Sequence, residues 1–408
     1  MNLNQLFDAY DIFRERSLSS ERIIHSDVLS LIERHSDNKF FNVSPLGKSV
    51  EGRELYSISF GTGRIKIFAW SQMHGDEPTA TAALFDLINF FSADDSLNAF
   101  RSPLLDNLTI HFFPLVNPDG AELFQRENAF NVDINRDALR LESHESKILW
   151  EYAEKLKPDF GFNLHDQNSY YTAGRTGNYS AISLLAPPTD HVKSINYTRE
   201  KSMQVILSVY DALNQFIPGQ IARYNDDHEP RAFGDNFTKI GISSILIESG
   251  FMKGDTGKKF VRKLNFIALL SALKSISDRE YEKKEYSEYF SIPENEQLLF
   301  DLLLRNLTLI HNGQRFKIDL AINRQKLWDA ELNNFYYKGT IAEIGDLSIF
   351  HGIEEYDMKD YLVKSDIKLA VDEPADLILE GISPLSIKNG FFPGTDEIKS
   401  ILNGLTIG

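Results

Sequence analysis

The hydrophobic period of this chain changes repeatedly up to about residue 276, and that alternation limits its possible folds more than any other feature. Short apolar runs with strand character are RELYSISFG (53–61), RIKIFAWSQ (64–72), LTIHFFPLV (108–116), FGFNL ending at His165, and ISSILIE (242–248). Between them lie segments whose apolar residues recur every three or four positions: about 22–35, 78–91 (PTATAALFDLINFF), 143–157, 198–216 and 257–276. Period-two or fully apolar strands alternating with amphipathic helices predict an α/β fold, a mostly parallel mixed sheet flanked by helices. NPDG (117–120) reads as a turn closing the 108–116 strand. The pattern stops at a charged stretch, SDREYEKKEYSEYF (277–290), followed by a helix-like ENEQLLFDLLLRNL (294–307). From about 305 the chain reads as short strands and turns (LTLIHNG, RFKIDLAI, FYYKGTIAEI, ADLILEGI). A boundary near 285–305 is therefore expected, with residues 1–290 as one domain and 291–408 as a small β-rich C-terminal domain.

Composition narrows the function. The 408 residues carry 43 Lys+Arg against 59 Asp+Glu, a formal charge of −16. With no basic stripe to release phosphate counterions or hold anionic lipid, neither nucleic acid nor a membrane surface is an expected partner. There is no cysteine, so disulfides, thiolate metal sites and Cys nucleophiles are excluded. The first 20 residues contain no signal-peptide core and no long apolar run follows, so a cytoplasmic location is expected. Oligomeric state is not legible in the sequence.

Three polar groups fall where strands are predicted to end: His74-Gly-Asp-Glu77, His165 and Glu248. Sites in open parallel sheets form at the carboxyl ends of strands, so these groups can converge although far apart in sequence. An imidazole and a carboxylate three apart across a strand–helix turn can reach one ion. With His165 they make a His₂Glu set, a zinc arrangement that leaves a position open for water. One Zn²⁺ there would lower the pKa of that water to about 7 and polarise a carbonyl. Glu248 would then be the base that takes the water's proton and passes it to the leaving amine. The bland readings are a chance HxxE, a core histidine and a carboxylate in a structural ion pair. The run NPDGAELFQRENAFNVDINRD (117–137) holds Arg126 and Arg136 beside Asn128 and Asn135. Guanidinium forks near a metal could grip an anionic substrate end or polarise a carbonyl; otherwise the run is a polar loop.

Taken in order, GKSVEGRELYSISFG (47–61), HGDE, NPDG, R-x-N, V-D-I-N-R and the strand-terminal Glu resemble the zinc carboxypeptidase (carboxypeptidase A-like) family over roughly residues 28–275. The resemblance implies that His74, Glu77 and His165 bind zinc and that Glu248 is the general base. It implies that Asn135 and Arg136 hold the substrate's terminal carboxylate, that Arg126 stabilises the oxyanion, and that Asp133 orients His74. The chain also departs from the family. The mobile tyrosine that covers the bound C-terminus has only Tyr224 and His228 as candidates in ARYNDDHEPRAFGDNF (222–237), and His165 is followed by Asp-Gln rather than Ser-Tyr. Arg231 would either favour a substrate with a negative group or pair locally with Asp226, Asp227 or Glu229. The expected substrate is a peptide with a free C-terminus. The alternatives are an N-acyl amino acid cleaved as in the aspartoacylase and succinylglutamate desuccinylase branch, a cell-wall peptide, or no reaction at all in a carboxylate-binding module.

Overall fold

A computed structural model describes residues 3–363, 369–381, 383–392, 400–402 and 405–407, so Ile382 of ADLILEGI and part of the C-terminal tail lie outside the described residues. The chain forms two compact units, one of residues 1–168 and 178–295, the other of 169–177 and 296–408.

The first unit is built on eight strands: β1 (Asn42–Lys48), β2 (Glu54–Phe60), β3 (Ile65–Ser71), β4 (Leu108–Phe113), β5 (Phe160–Asp166), β7 (Ile182–Leu185), β8 (Ile221–Arg223) and β9 (Ser243–Ser249), with β6 (Tyr171–Ala173) in the other unit. Their order in the sheet is β1-β2-β4-β3-β5-β9-β7-β8. The central β4-β3-β5-β9 run is parallel, whereas β1, β2 and β7 join antiparallel. GKSVEGRELYSISFG is therefore a hairpin of β1 and β2.

Alternation along β3 shows why the sheet is covered on both faces. Ile67 and Ala69 enter one core with helices α1 (Leu3–Phe13), α2 (His25–Ser36), α3 (Thr79–Ser92), α4 (Asn98–Asn107), α7 (Tyr197–Leu213) and α9 (Lys259–Ser277). Phe68 and Trp70 enter a second core with α6 (His144–Leu156) and α8 (Phe233–Lys239). NPDG is not a bare turn: Asn117 caps a short helix, α5 (Pro118–Leu123), its side chain accepting from the Gly120 N–H at 2.9 Å. Asp119 of that helix accepts from Ser49 Oγ at 2.8 Å and from the Glu51 N–H at 2.9 Å, which fixes the β1–β2 turn.

α3 is buried nearly all round, and Asp86 on it is 0% exposed. Arg262 of α9 donates to both of its oxygens, at 2.8 and 2.5 Å, and Tyr10 Oη adds a bond at 2.8 Å. The same guanidinium reaches the carbonyls of Glu15 and Leu18 at 2.8 and 2.9 Å, tying the N-terminal segment to α3 and α9. Removing one partner of a buried ion pair leaves an uncompensated charge, so Asp86→Ala should destabilise the fold by about 3–5 kcal/mol. A denaturant midpoint that moves by less than about 1 kcal/mol equivalent would contradict this account.

In the second unit, β11 (Leu299–His311), β12 (Gln314–Asp329) and β13 (Asn334–Gly345) form a long antiparallel meander, with β14 (His351–Asp357) pairing parallel to β11. ENEQLLFDLLLRNL, expected as a helix, is instead β10 (Asn295–Gln297) and the first part of β11. Leu302, Leu304 and Leu307 point into one cluster and Leu303 into another, so both faces of the strand are buried. A strand buried on both sides reads as a continuous apolar run, which periodicity cannot separate from a buried helix. No helix among the described residues is long and apolar enough to cross a membrane.

Candidate metal centre

β3, β5 and β9 are adjacent and parallel, so their carboxyl ends lie side by side. After β3 the chain builds β4 on one flank and later β5 on the other, which makes β3 the point where strand order reverses, the usual place for a site in such sheets. His74 and Glu77 lie in the turn between β3 and α3. Gly75 in that turn is required by close contact: a Cβ there would stand 2.1 Å from the Gly120 backbone. HGDE and NPDG thus pack backbone on backbone, which gives a physical reason for the two motifs to occur together. Asn117 strengthens the junction by donating to the carbonyls of Met73 and Arg126, each at 3.2 Å.

The turn brings His74 Nδ1 to 2.8 Å from Glu77 Oε1, and β5 brings His165 Nδ1 to 2.8 Å from Glu77 Oε2. The two Nδ1 atoms are 3.2 Å apart, and one donor atom from each of the three residues lies within 4.8 Å of the others. All three residues are buried. The donor chemistry suits a divalent cation. Asp133 Oδ1, which can only accept, is 3.1 Å from His74 Nε2, so that nitrogen carries a proton and Nδ1 is the atom that would offer its lone pair to a cation once its own proton has left. Asn135 Nδ2 is 3.5 Å from His165 Nε2, the limit of a hydrogen bond and too long to fix the tautomer there.

The electrostatics are those of a cation site. Burial alone would lower the His74 pKa, but the charge of Glu77 and hydrogen bonds to Asp133 and Glu77 outweigh it and hold it at about 9. For His165 burial wins over the same carboxylate and the pKa falls. Burial would raise Glu77, yet the two imidazoles keep it well below the usual carboxylate range. Two histidines and a carboxylate in this arrangement can hold one metal ion.

Glu248 is directly opposite His165 in the β5–β9 register and only 7% exposed. Burial first, and the Glu77 charge second, push it up to about 8. His74, Glu77 and His165 would hold a divalent cation whose charge would oppose that second push. Arg126 donates to Asp133 Oδ2 from Nε at 3.0 Å, and its Nη1 is 3.1 Å from His74 Nδ1 and 3.5 Å from Glu77 Oε1. The V-D-I-N-R run is a 3₁₀ turn, Ile134–Arg136, whose first N–H groups are organised by Asp133 accepting from the Asn135 N–H at 2.8 Å. Asn135 Oδ1 accepts from the Phe233 N–H at 3.0 Å, which ties this turn to α8.

Arg136 and Arg231 share one carboxylate. Arg136 Nε is 3.2 Å from Glu229 Oε2, and Arg231 donates to both Glu229 oxygens at 2.8 and 2.7 Å. Of the partners considered for Arg231, Glu229 is the one it meets; Asp226 pairs with Arg199 and Lys193. Tyr224 follows the edge strand β8, two strands from β9, with its N–H donating to the Leu184 carbonyl at 2.9 Å. His228 donates to Asp235 at 2.9 Å. Asn128 is a loop brace, buried, bonded to Glu145 at 3.2 Å and accepting from the Phe130 and Val132 N–H groups. Asp166 and Lys258 escape the sequence reading as parts of the site; the one available signal was the unusual Asp after His165.

A family model described as zinc carboxypeptidase matches residues 29–212. Carboxypeptidase SOL1 of Arabidopsis thaliana is 34% identical over 144 residues, which is 31% of this chain and 29% of that protein. Human carboxypeptidase D is 30% identical over 132 residues, 28% of this chain and 10% of that protein. The chain thus matches less than a third of the length of either relative. A metallo-carboxypeptidase structure from Burkholderia cenocepacia superposes with a TM-score of 0.52 at 17% identity, covering 64% of this chain and 70% of that one, a likeness of fold.

Proposed function

From the match of residues 29–212 to the zinc carboxypeptidase family model we propose that this chain is a member of that family and removes C-terminal residues from peptides with a free terminal carboxylate. The observation that carries the reading is the meeting of His74, Glu77 and His165 beside Glu248 at adjacent strand ends. Zinc, when bound, polarises the scissile carbonyl and acidifies a water. Glu248 accepts that water's proton and returns it to the leaving amine, so the base must be ionised before attack and neutral after it. Arg126, anchored on Asp133, faces the carbonyl oxygen where charge develops. Asn135 and Arg136 grip the terminal carboxylate. Arg231 extends the same positive edge, and Tyr224 covers the bound residue.

The grip on the carboxylate is the part most open to test. Arg136→Ala should raise KM by about tenfold to a hundredfold, the value of one charge-assisted hydrogen bond, with kcat within about threefold. The assay pairs each peptide with its C-terminal amide and includes an N-acyl amino acid. Wild-type turnover of the free-acid peptide alone is the expected result. Equal turnover of the amide, or preference for the N-acyl amino acid, overturns the reading.

A further inference from the structure

Three segments must stay in register for the centre to work: the turn 74–79, the end of β5 and the end of β9. One ion pair touches all three. Asp166 directly follows His165, and its N–H donates to Glu77 Oε2 at 3.1 Å. Its Oδ2 accepts from Thr79 Oγ1 at 2.5 Å, two residues beyond Glu77, and from Lys258 Nζ at 3.1 Å. Lys258 Nζ donates also to the carbonyl of Ser249, next to Glu248, at 3.0 Å, and to that of Gln167 at 3.4 Å. The ammonium therefore bridges the strand end that carries His165 and the strand end that carries Glu248.

The backbone at Lys258 supports a specific purpose. Its φ is +51°, after Gly257 at +67°, a left-handed conformation that costs a non-glycine residue of order 1 kcal/mol. Such strain persists where the side chain's contacts over-determine it, and here the contacts are the strand ends. The Asp166 side chain is 8% exposed and that of Lys258 29%, so the pair is better shielded than a surface ion pair.

We propose that Asp166 and Lys258 are a positioning pair that sets the placement of Glu248 relative to the metal donors. The inference rests on the reading of those donors and of Glu248 given above, and its two arms separate the failures. The Asp166 carboxylate holds Thr79, two residues beyond Glu77, and orients the strand end whose N–H meets Glu77, so Asp166→Asn should weaken zinc binding, measured by chelator competition, by about tenfold to a hundredfold. Lys258 joins the strand ends without touching the donors. Lys258→Met should keep one zinc per chain and lower kcat about tenfold with KM within about twofold, and Lys258→Arg should recover most of that loss. Thermal midpoints accompany both arms, and Lys258→Gln replaces Lys258→Met if the latter does not fold. The pair is only structural if Asp166→Asn binds zinc within about threefold of wild type, or if the activity lost in Lys258→Met equals its unfolded fraction. A wild type that binds zinc but cleaves no peptide defeats the carboxypeptidase reading alone, since the zinc arm needs no substrate.

Discussion

Glu248→Gln should lower kcat on a free-acid peptide by about 10³-fold or more while leaving zinc at one per chain. General-base removal is worth about 10² to 10⁴, and this position is poorly served by any substitute. Glu248 is 7% exposed and faces His165 across the β5–β9 register, so it stands beside the metal donors and not in open solvent. Glutamine keeps the shape and hydrogen-bonding reach but cannot hold a proton taken from water. It also removes a carboxylate that burial first, and repulsion from Glu77 second, push up to about 8, so the variant should be at least as stable as the wild type. A folded, zinc-loaded Gln variant with kcat within tenfold of wild type would sink the assignment.

His165→Ala should be the most damaging change of all. Its Nδ1 is 2.8 Å from Glu77 and 3.2 Å from His74 Nδ1, and without it only two donors remain. Two donors hold zinc far less tightly than three, so elemental analysis after dialysis should find none, and peptide hydrolysis should fall below detection. The fold should survive, because the ring closes a catalytic rather than a structural site and Glu77 keeps His74 and the Asp166 N–H as partners. Circular dichroism and the thermal midpoint check that point. Stoichiometric zinc retained in both His165→Ala and His74→Ala would refute the ligand set.

The donors are legible in the sequence because local rules govern them. HGDE straddles a strand–helix turn, His165 and Glu248 each end an apolar run, and parallel strands deliver such ends to one edge. The long strand β11 is not legible as a strand, because an apolar run buried on both faces carries no period to distinguish it from a helix. β7 and β8, of four and three residues, are too short to rise above their loops. Lys258 is invisible for a different reason. Its partner Asp166 is 92 positions away, and no spacing rule connects a left-handed residue before one helix to the end of a distant strand. The Arg136–Glu229–Arg231 cluster stands between these cases: the acidic loop announces a partner for Arg231, but only the folded chain brings Arg136 to the same carboxylate.

The segment Ser169–Gly177, which leaves β5 three positions after Asp166, belongs to the second unit rather than the first. There β6 pairs with β10, the Leu299 N–H donates to the Tyr170 carbonyl at 3.1 Å, and Tyr170 Oη donates to Asp301 at 3.1 Å. The β-rich unit therefore draws on two separate stretches of the chain, 169–177 and 296–408, rather than on one. A cut between residues 295 and 296 removes most of β10 and Asp301 and so deprives Ser169–Gly177 of those partners, which means that no single cut in the chain separates the two units.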